Sequence, residues 1–162
     1  LFRHHRPPYL CCAKHTTMPT TPIRGITLAY DDLRPSTTAA TPTLVFIHGH
    51  PFNRTMWAEQ IAHFENDYRL ILPDLRGYGE SGITTPSVLL DEMALDIIHL
   101  LDELNIGKAA FIGLSMGGQI VFDLYRLIPH RFTALVIVDS DARGETPESA
   151  ASKLPKTSYK SG

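Results

Sequence analysis

The chain has 162 residues and a mass of 18.0 kDa, with 43% hydrophobic and 20% charged residues, which fits one soluble globular domain and excludes wholesale disorder. A net charge of −2 supplies no basic field for nucleic acid. The longest apolar stretch, Ala109–Leu127, is broken by glycines, Asp123 and Arg126, short of the roughly 18 uninterrupted apolar residues a membrane helix needs.

In chain order, residues 1–20 hold Arg3, Arg6 and Lys14 and no acid, and the remaining 12 basic and 17 acidic residues leave −5 on the rest. Leu1–Thr21 has no hydrophobic period and lacks the apolar run of a secretory signal, although an acid-free basic segment also matches a transit peptide. The plainer reading of residues 1–21 is a disordered or upstream extension, with the folded part running over 22–148. Cys11 and Cys12 are adjacent and give neither a disulfide framework nor metal spacing. No metal or cofactor is expected, and a cytoplasmic location is.

Gly25–Tyr30 reads as a strand, followed by a Pro/Ser/Thr/Ala-rich linker, Leu33–Pro42. Thr43–His48 is a short β-branched and aromatic run, a buried strand. Thr55–Phe64 has helical spacing, and Tyr68–Leu72 is another buried strand closed by Pro73-Asp74. Ser87–Leu104 is the clearest helix: Leu89, Leu90, Met93, Ile97, Leu100, Leu101 and Leu104 follow the i, i+3, i+4 rule between acidic flanks. Ala109–Leu114 is a strand, Met116–Ile128 a helix stopped by Pro129, and Thr133–Asp139 a last apolar strand. Gly144–Gly162 is polar and small, with residues 149–162 a disordered tail. Strands alternating with helices imply an α/β fold: a mostly parallel sheet with helices on both faces.

The chemistry concentrates in Gly113-Leu114-Ser115-Met116-Gly117-Gly118, where a strand runs straight into a helix. Glycines two residues before and after a serine allow a turn tight enough to lift the hydroxyl above the sheet edge. The helix start offers free N–H groups and a positive dipole end, both suited to an oxyanion. The plain alternative is a glycine-rich turn whose serine caps the helix. A second loop, His48-Gly49-His50-Pro51, follows the Thr43–His48 strand. If it lies beside Ser115, the N–H groups of His50 and Met116 converge on one oxygen. His48 reads as a satisfied structural histidine. A third loop, Asp74-Leu75-Arg76-Gly77-Tyr78-Gly79-Glu80-Ser81, matches neither a P-loop nor a dinucleotide fingerprint, and Asp74 and Arg76 read as residues that order neighbouring loops.

Together HGHP, DLRGYGES and GLSMGG, in this order and each after an expected strand, resemble the α/β-hydrolase fold superfamily. The likeness covers about Pro22 to Glu148 and is strongest to the esterase and perhydrolase-like branch; haloalkane dehalogenases and epoxide hydrolases put aspartate where Ser115 stands. The resemblance implies Ser115 as nucleophile, Gly113 and Gly117 as elbow glycines, and His50 and Met116 as oxyanion donors, acting on a small-molecule ester.

One member of the triad is missing from this pattern. The family order is serine, acid, histidine, and after Ser115 the only histidine is His130, about 20 Å away at the end of a 13-residue helix. Asp139 and Asp141 are acid candidates at the end of the last strand, although the family's commoner acid position is one strand later. The expectation is a truncated α/β-hydrolase fold, its N-terminal half, with an unfinished sheet edge that invites self-association and ester turnover near background. The competing expectation is an inactive homologue that acts, if at all, by binding.

Overall fold

The computed structural model describes residues 19–36, 40–84 and 88–141. The expected extension up to residue 18, the start of the long helix at Ser87 and the expected tail lie outside the described residues. Folding begins with a hairpin: β1 (Thr20–Ile23) pairs antiparallel with β2 (Ile26–Leu33), Ile23 opposite Ile26. The two-residue turn has positive φ at both Arg24 (44°) and Gly25 (83°), the geometry that matches the strands' own twist. The first described strand thus takes in Thr20 and Thr21, ahead of Pro22. The Thr-Thr-Pro run carries no apolar period and takes its strand form from its partner.

Four further strands complete the sheet: β3 (Thr43–Ile47), β4 (Arg69–Pro73), β5 (Ala109–Leu114) and β6 (Phe132–Val138). The order across the sheet is β1-β2-β4-β3-β5-β6. β4, β3, β5 and β6 run parallel, and β2 is antiparallel to β4. The sheet is mostly parallel, as the alternation of strands and helices predicts, with a hairpin along one side.

Side chains alternate across the pleat, so each central strand serves two cores. Val45, Ile47, Ile71, Ala109 and Phe111 face one layer with α2 (Leu90–Glu103) and α3 (Met116–Leu127). Phe46, Leu70 and Leu72 face the other, against Trp57 and α1 (Ala58–Phe64), with Ile112 and Leu114 packed beside them. Both faces are thus covered by helix. The expected helix over Thr55–Phe64 divides into a 3₁₀ turn, Arg54–Trp57, and α1. Asn53 opens the turn by accepting the Thr55 N–H at 3.0 Å. α2 closes through left-handed Asn105 (φ 53°), with Ile106 N–H on Leu101 O and Asn105 N–H on Asp102 O, a Schellman end. α3 stops before Pro129, which cannot continue a helix.

Candidate active site

Three loops leave the C-terminal ends of the parallel strands and meet above β3 and β5. The shortest is a single residue. Ser115 joins β5 to α3 with φ 51° and ψ −116°, a backbone region that costs a non-glycine residue of order 1–3 kcal/mol and is held by the surrounding structure. That holding is visible. The Ser115 N–H donates to Val138 O of the neighbouring strand at 2.8 Å, and Ser115 O accepts from Gly118 N–H at 2.9 Å. Ser115 sits at the N-cap position of α3, yet its side chain makes no capping hydrogen bond. The hydroxyl is not spent on the helix.

The flanking glycines are required by contact rather than by φ. A Cβ on Gly113 would overlap the Gly117 carbonyl and stand 2.7 Å from Gly118 N. A Cβ on Gly117 would overlap Ile47 O and stand 2.7 Å from His48 O. The first turn of α3 is thereby laid directly on the end of β3. Gly49 repeats the pattern from the other side: a Cβ there would lie 3.0 Å from Leu114 O and 3.3 Å from the Ser115 Cβ. The His48–Pro51 loop therefore runs beside the serine. Among the described residues, neither the His50 N–H nor the Met116 N–H finds a backbone carbonyl. Met116 is the first residue of α3, where helix geometry leaves N–H groups without intrahelical partners.

The third loop, 74–82, braces the second. His48 is fully buried; its Nε2 accepts the Leu75 N–H at 3.0 Å and its Nδ1 lies 3.0 Å from Gly49 O. Those two contacts assign a neutral ring with the proton on Nδ1. Burial pulls its pKa below the usual histidine value, outweighing the Gly49 carbonyl. His50 Nδ1 lies 3.0 Å from the Tyr78 hydroxyl, which also donates to Met116 Sδ at 3.6 Å. Asp74 is fully buried and accepts the N–H groups of Arg54 and Glu80, each at 2.8 Å, as well as the Arg54 guanidinium. Arg76 grips Asp96 of α2 with two hydrogen bonds of 2.7 Å. Asp74 and Arg76 order the loop they stand on and the elements next to it.

The other described histidines sit elsewhere. His130 is in the turn beyond α3, whose 12 residues span about 18 Å. His63 is on α1 against Phe64, and His99 is on α2. Among the described residues no imidazole hydrogen-bonds the Ser115 hydroxyl. Asp139 follows β6 in the left-handed region (φ 47°), one residue past the carbonyl that Ser115 N–H binds. It and Asp141 are exposed. Among the described residues there is no cluster of metal-ligand type, and no helix is long and apolar enough to cross a membrane.

A profile of the alpha/beta hydrolase fold matches residues 42–158. Among curated proteins, 3-oxoadipate enol-lactonase 2 of Acinetobacter baylyi is 36% identical over 105 residues, covering 65% of this chain and 39% of that protein. Epoxide hydrolase 4 of Mus musculus is 33% identical over 100 residues, 60% of this chain and 28% of that protein. Among solved structures, a thermophilic esterase from Thermogutta terrifontis superposes with a TM-score of 0.72 at 36% identity, over 83% of this chain and 48% of that one. The chain spans less than half the length of each of these relatives.

Proposed function

Since this chain belongs to the α/β-hydrolase fold family, we propose that Ser115 is the nucleophile of an acyl-ester hydrolase site whose oxyanion donors are the N–H groups of His50 and Met116. The observation that carries the reading is the strained, uncapped Ser115 set beside two N–H groups that no backbone acceptor uses among the described residues. In the proposed step the Ser115 oxygen attacks the ester carbonyl carbon. The carbonyl oxygen takes up the negative charge between the two donors, which are worth most when charge develops. Collapse expels the alcohol and leaves an acyl-serine that water hydrolyses. The serine proton must pass to a base. His48 has both ring nitrogens engaged, and His130 is a helix length away, so neither serves. Asp139 and Asp141 stand as the acid candidates of this reading.

An ester or lactone is the substrate class, supported by the esterase and enol-lactonase relatives. The epoxide hydrolase relatives match over a similar share of the chain, and the residue at the elbow separates the readings: a serine forms an acyl intermediate on an ester carbonyl. A second reading, a binding protein without turnover, is favoured by the observation that no imidazole among the described residues hydrogen-bonds the Ser115 hydroxyl. One experiment addresses both. The chain is treated with a p-nitrophenyl alkylphosphonate and mapped by mass spectrometry, alongside steady-state hydrolysis of p-nitrophenyl acetate. A phosphonyl group on Ser115, lost in Ser115→Ala, with ester turnover near background is the expected result. Labelling spread over surface serines with none at Ser115 overturns the nucleophile. Labelling at Ser115 with no turnover by this chain, alone or when fused to the remainder of a relative, selects the binding reading.

A further inference from the structure

We propose that Tyr78 is a positioning residue for this site: its phenol, held between the side chains of His50 and Met116, sets the separation of their two backbone N–H groups. The inference rests on the oxyanion reading above and deepens it. Tyr78 belongs to the third loop, which the proposed reaction leaves without a task.

The phenol oxygen lies 3.0 Å from His50 Nδ1 and 3.6 Å from Met116 Sδ. These are the side chains of the two residues whose main chains carry the donors, and they come from different loops. A phenol has one proton to give. Both contacts are satisfied together only when His50 Nδ1–H donates to the Tyr78 oxygen and the Tyr78 O–H donates to Met116 Sδ. This directional chain links the His50 loop to the first residue of α3. The Tyr78 ring also stands edge-on to both histidines, 5.3 Å from His48 and 5.9 Å from His50 between centroids.

The loop that mounts the phenol is itself fixed. Tyr78 lies between Gly77 (φ 78°) and Gly79 (φ 53°), and a Cβ on Gly79 would overlap the Asp74 carboxylate. Tyr78 N–H donates to Leu75 O at 2.8 Å, and Tyr78 O accepts from Ser81 N–H at 3.0 Å. His50, by contrast, is exposed. Among the described residues its ring has no hydrogen-bond partner other than Tyr78. Burial raises the Tyr78 pKa, so the proton the chain needs stays in place. Removing the hydroxyl frees the His50 peptide to rotate, and a donor aimed away from the oxyanion stabilises nothing.

The test is an equilibrium one at fixed pH: the Ser115 oxygen adds to boron, the tetrahedral boronate carries the negative charge, and the hydroxyl proton is released to buffer, so every variant is compared under the same proton balance. Phenylboronic acid is titrated into the full chain, and the tetrahedral serine adduct is followed by ¹¹B NMR. Wild type should form the adduct and Ser115→Ala should not. Tyr78→Phe, which keeps the ring, should weaken adduct formation about tenfold without moving the thermal midpoint by more than a degree or two. Met116→Leu should weaken it as well, and the double variant no further than Tyr78→Phe alone. Strict additivity, or a Tyr78→Phe variant that binds like wild type, overturns the proposal while the adduct itself keeps the hydrolase reading. If wild type forms no adduct, the hydrolase reading fails. Tyr78 is then judged by amide exchange at the hydrogen-bonded N–H groups of the two loops it joins: Tyr78→Phe should speed exchange at Phe52 and Gly118, bonded to Gly49 O and Ser115 O, at least tenfold relative to β3 and β5, and equal protection overturns it.

Discussion

At the scale of single residues, the site is built by what is left out. Gly113 and Gly117 have no room for a methyl group, because each faces backbone atoms rather than the end of a mobile side chain. Gly113→Ala and Gly117→Ala should each destabilise the fold by about 3 kcal/mol or more, read by urea unfolding, since backbone shift is the only relief from overpacking. Gly107, exposed and with nothing within 4 Å of its Cβ position, is the comparison: Gly107→Ala should stay within about 0.5 kcal/mol of wild type. His48 gives a prediction of a different sign. Burial depresses its pKa in the fold, so below the usual value of about 6.5 the unfolded chain binds the proton the folded chain refuses. The stability His48 contributes is present above that value and is lost as pH falls through the folded pKa. His48→Gln, whose side-chain oxygen can still accept the Leu75 N–H, should flatten the loss of thermal stability between about pH 7 and pH 5. A midpoint that falls equally in both proteins would assign the acid sensitivity to other groups.

At the scale of elements, loops are tied to helices by buried charge. Arg76, on the loop after β4, is 5% exposed, and its partner Asp96 on α2 is 1% exposed. Arg24, from the β1–β2 turn, reaches the same carboxylate at 3.1 Å. Asp96→Ala should therefore cost about 3–5 kcal/mol in denaturant unfolding, because it leaves a buried guanidinium without its counter-charge. An effect below 1 kcal/mol would mean that water reaches Arg76 when the carboxylate is gone. Such ties explain what was legible in the sequence and what was not. The strands β3, β4 and β5 announce themselves because both their faces are apolar, and α2 because its apolar positions follow the helical period. The glycine-serine-glycine spacing carries the elbow because backbone collision is a local matter. β1 was hidden: Thr20-Thr21-Pro22 owes its strand form to β2, and the signal that could have found it is the two-residue Arg24-Gly25 turn between two isoleucines. Asp96 reads as one of several acids flanking the apolar stripe of α2, and only its non-local partners, up to 72 residues away, show why it is buried. Tyr78 was hidden for the same reason, since its partners come from two other loops.

At the scale of the whole molecule, the described sheet ends in an antiparallel hairpin on one side and in a single parallel strand on the other. β1 and β2 close one end as a hairpin, while β6 pairs only with β5 among the described residues. A bulge where Ala109 gives way to Ala110 sets the face of each β6 side chain: Val136 and Val138 lie opposite Ile112 and Leu114, on the side of the sheet that α1 covers. α1 sits over β3 and β4, so its cover does not reach β6. Val136 is left 46% exposed and Val138 40%, while Leu135 on the opposite face is 43% exposed. An exposed strand with free N–H and C=O groups and apolar side chains on both faces is a template for pairing with another chain. Self-association of the 162-residue chain through this edge is the expected outcome, seen as a sedimentation coefficient that rises with concentration. Val136→Lys puts a charge on the open face, where it has room to reach solvent, and a charged edge strand is a poor partner. The variant should move the equilibrium towards monomer and reduce binding of a hydrophobic dye, with little change in the unfolding midpoint of the monomer. A wild-type chain that sediments as a monomer at every concentration would show that the β6 edge is protected. In that case Val136→Lys should lower the unfolding midpoint instead, because the valine would be buried under whatever covers it.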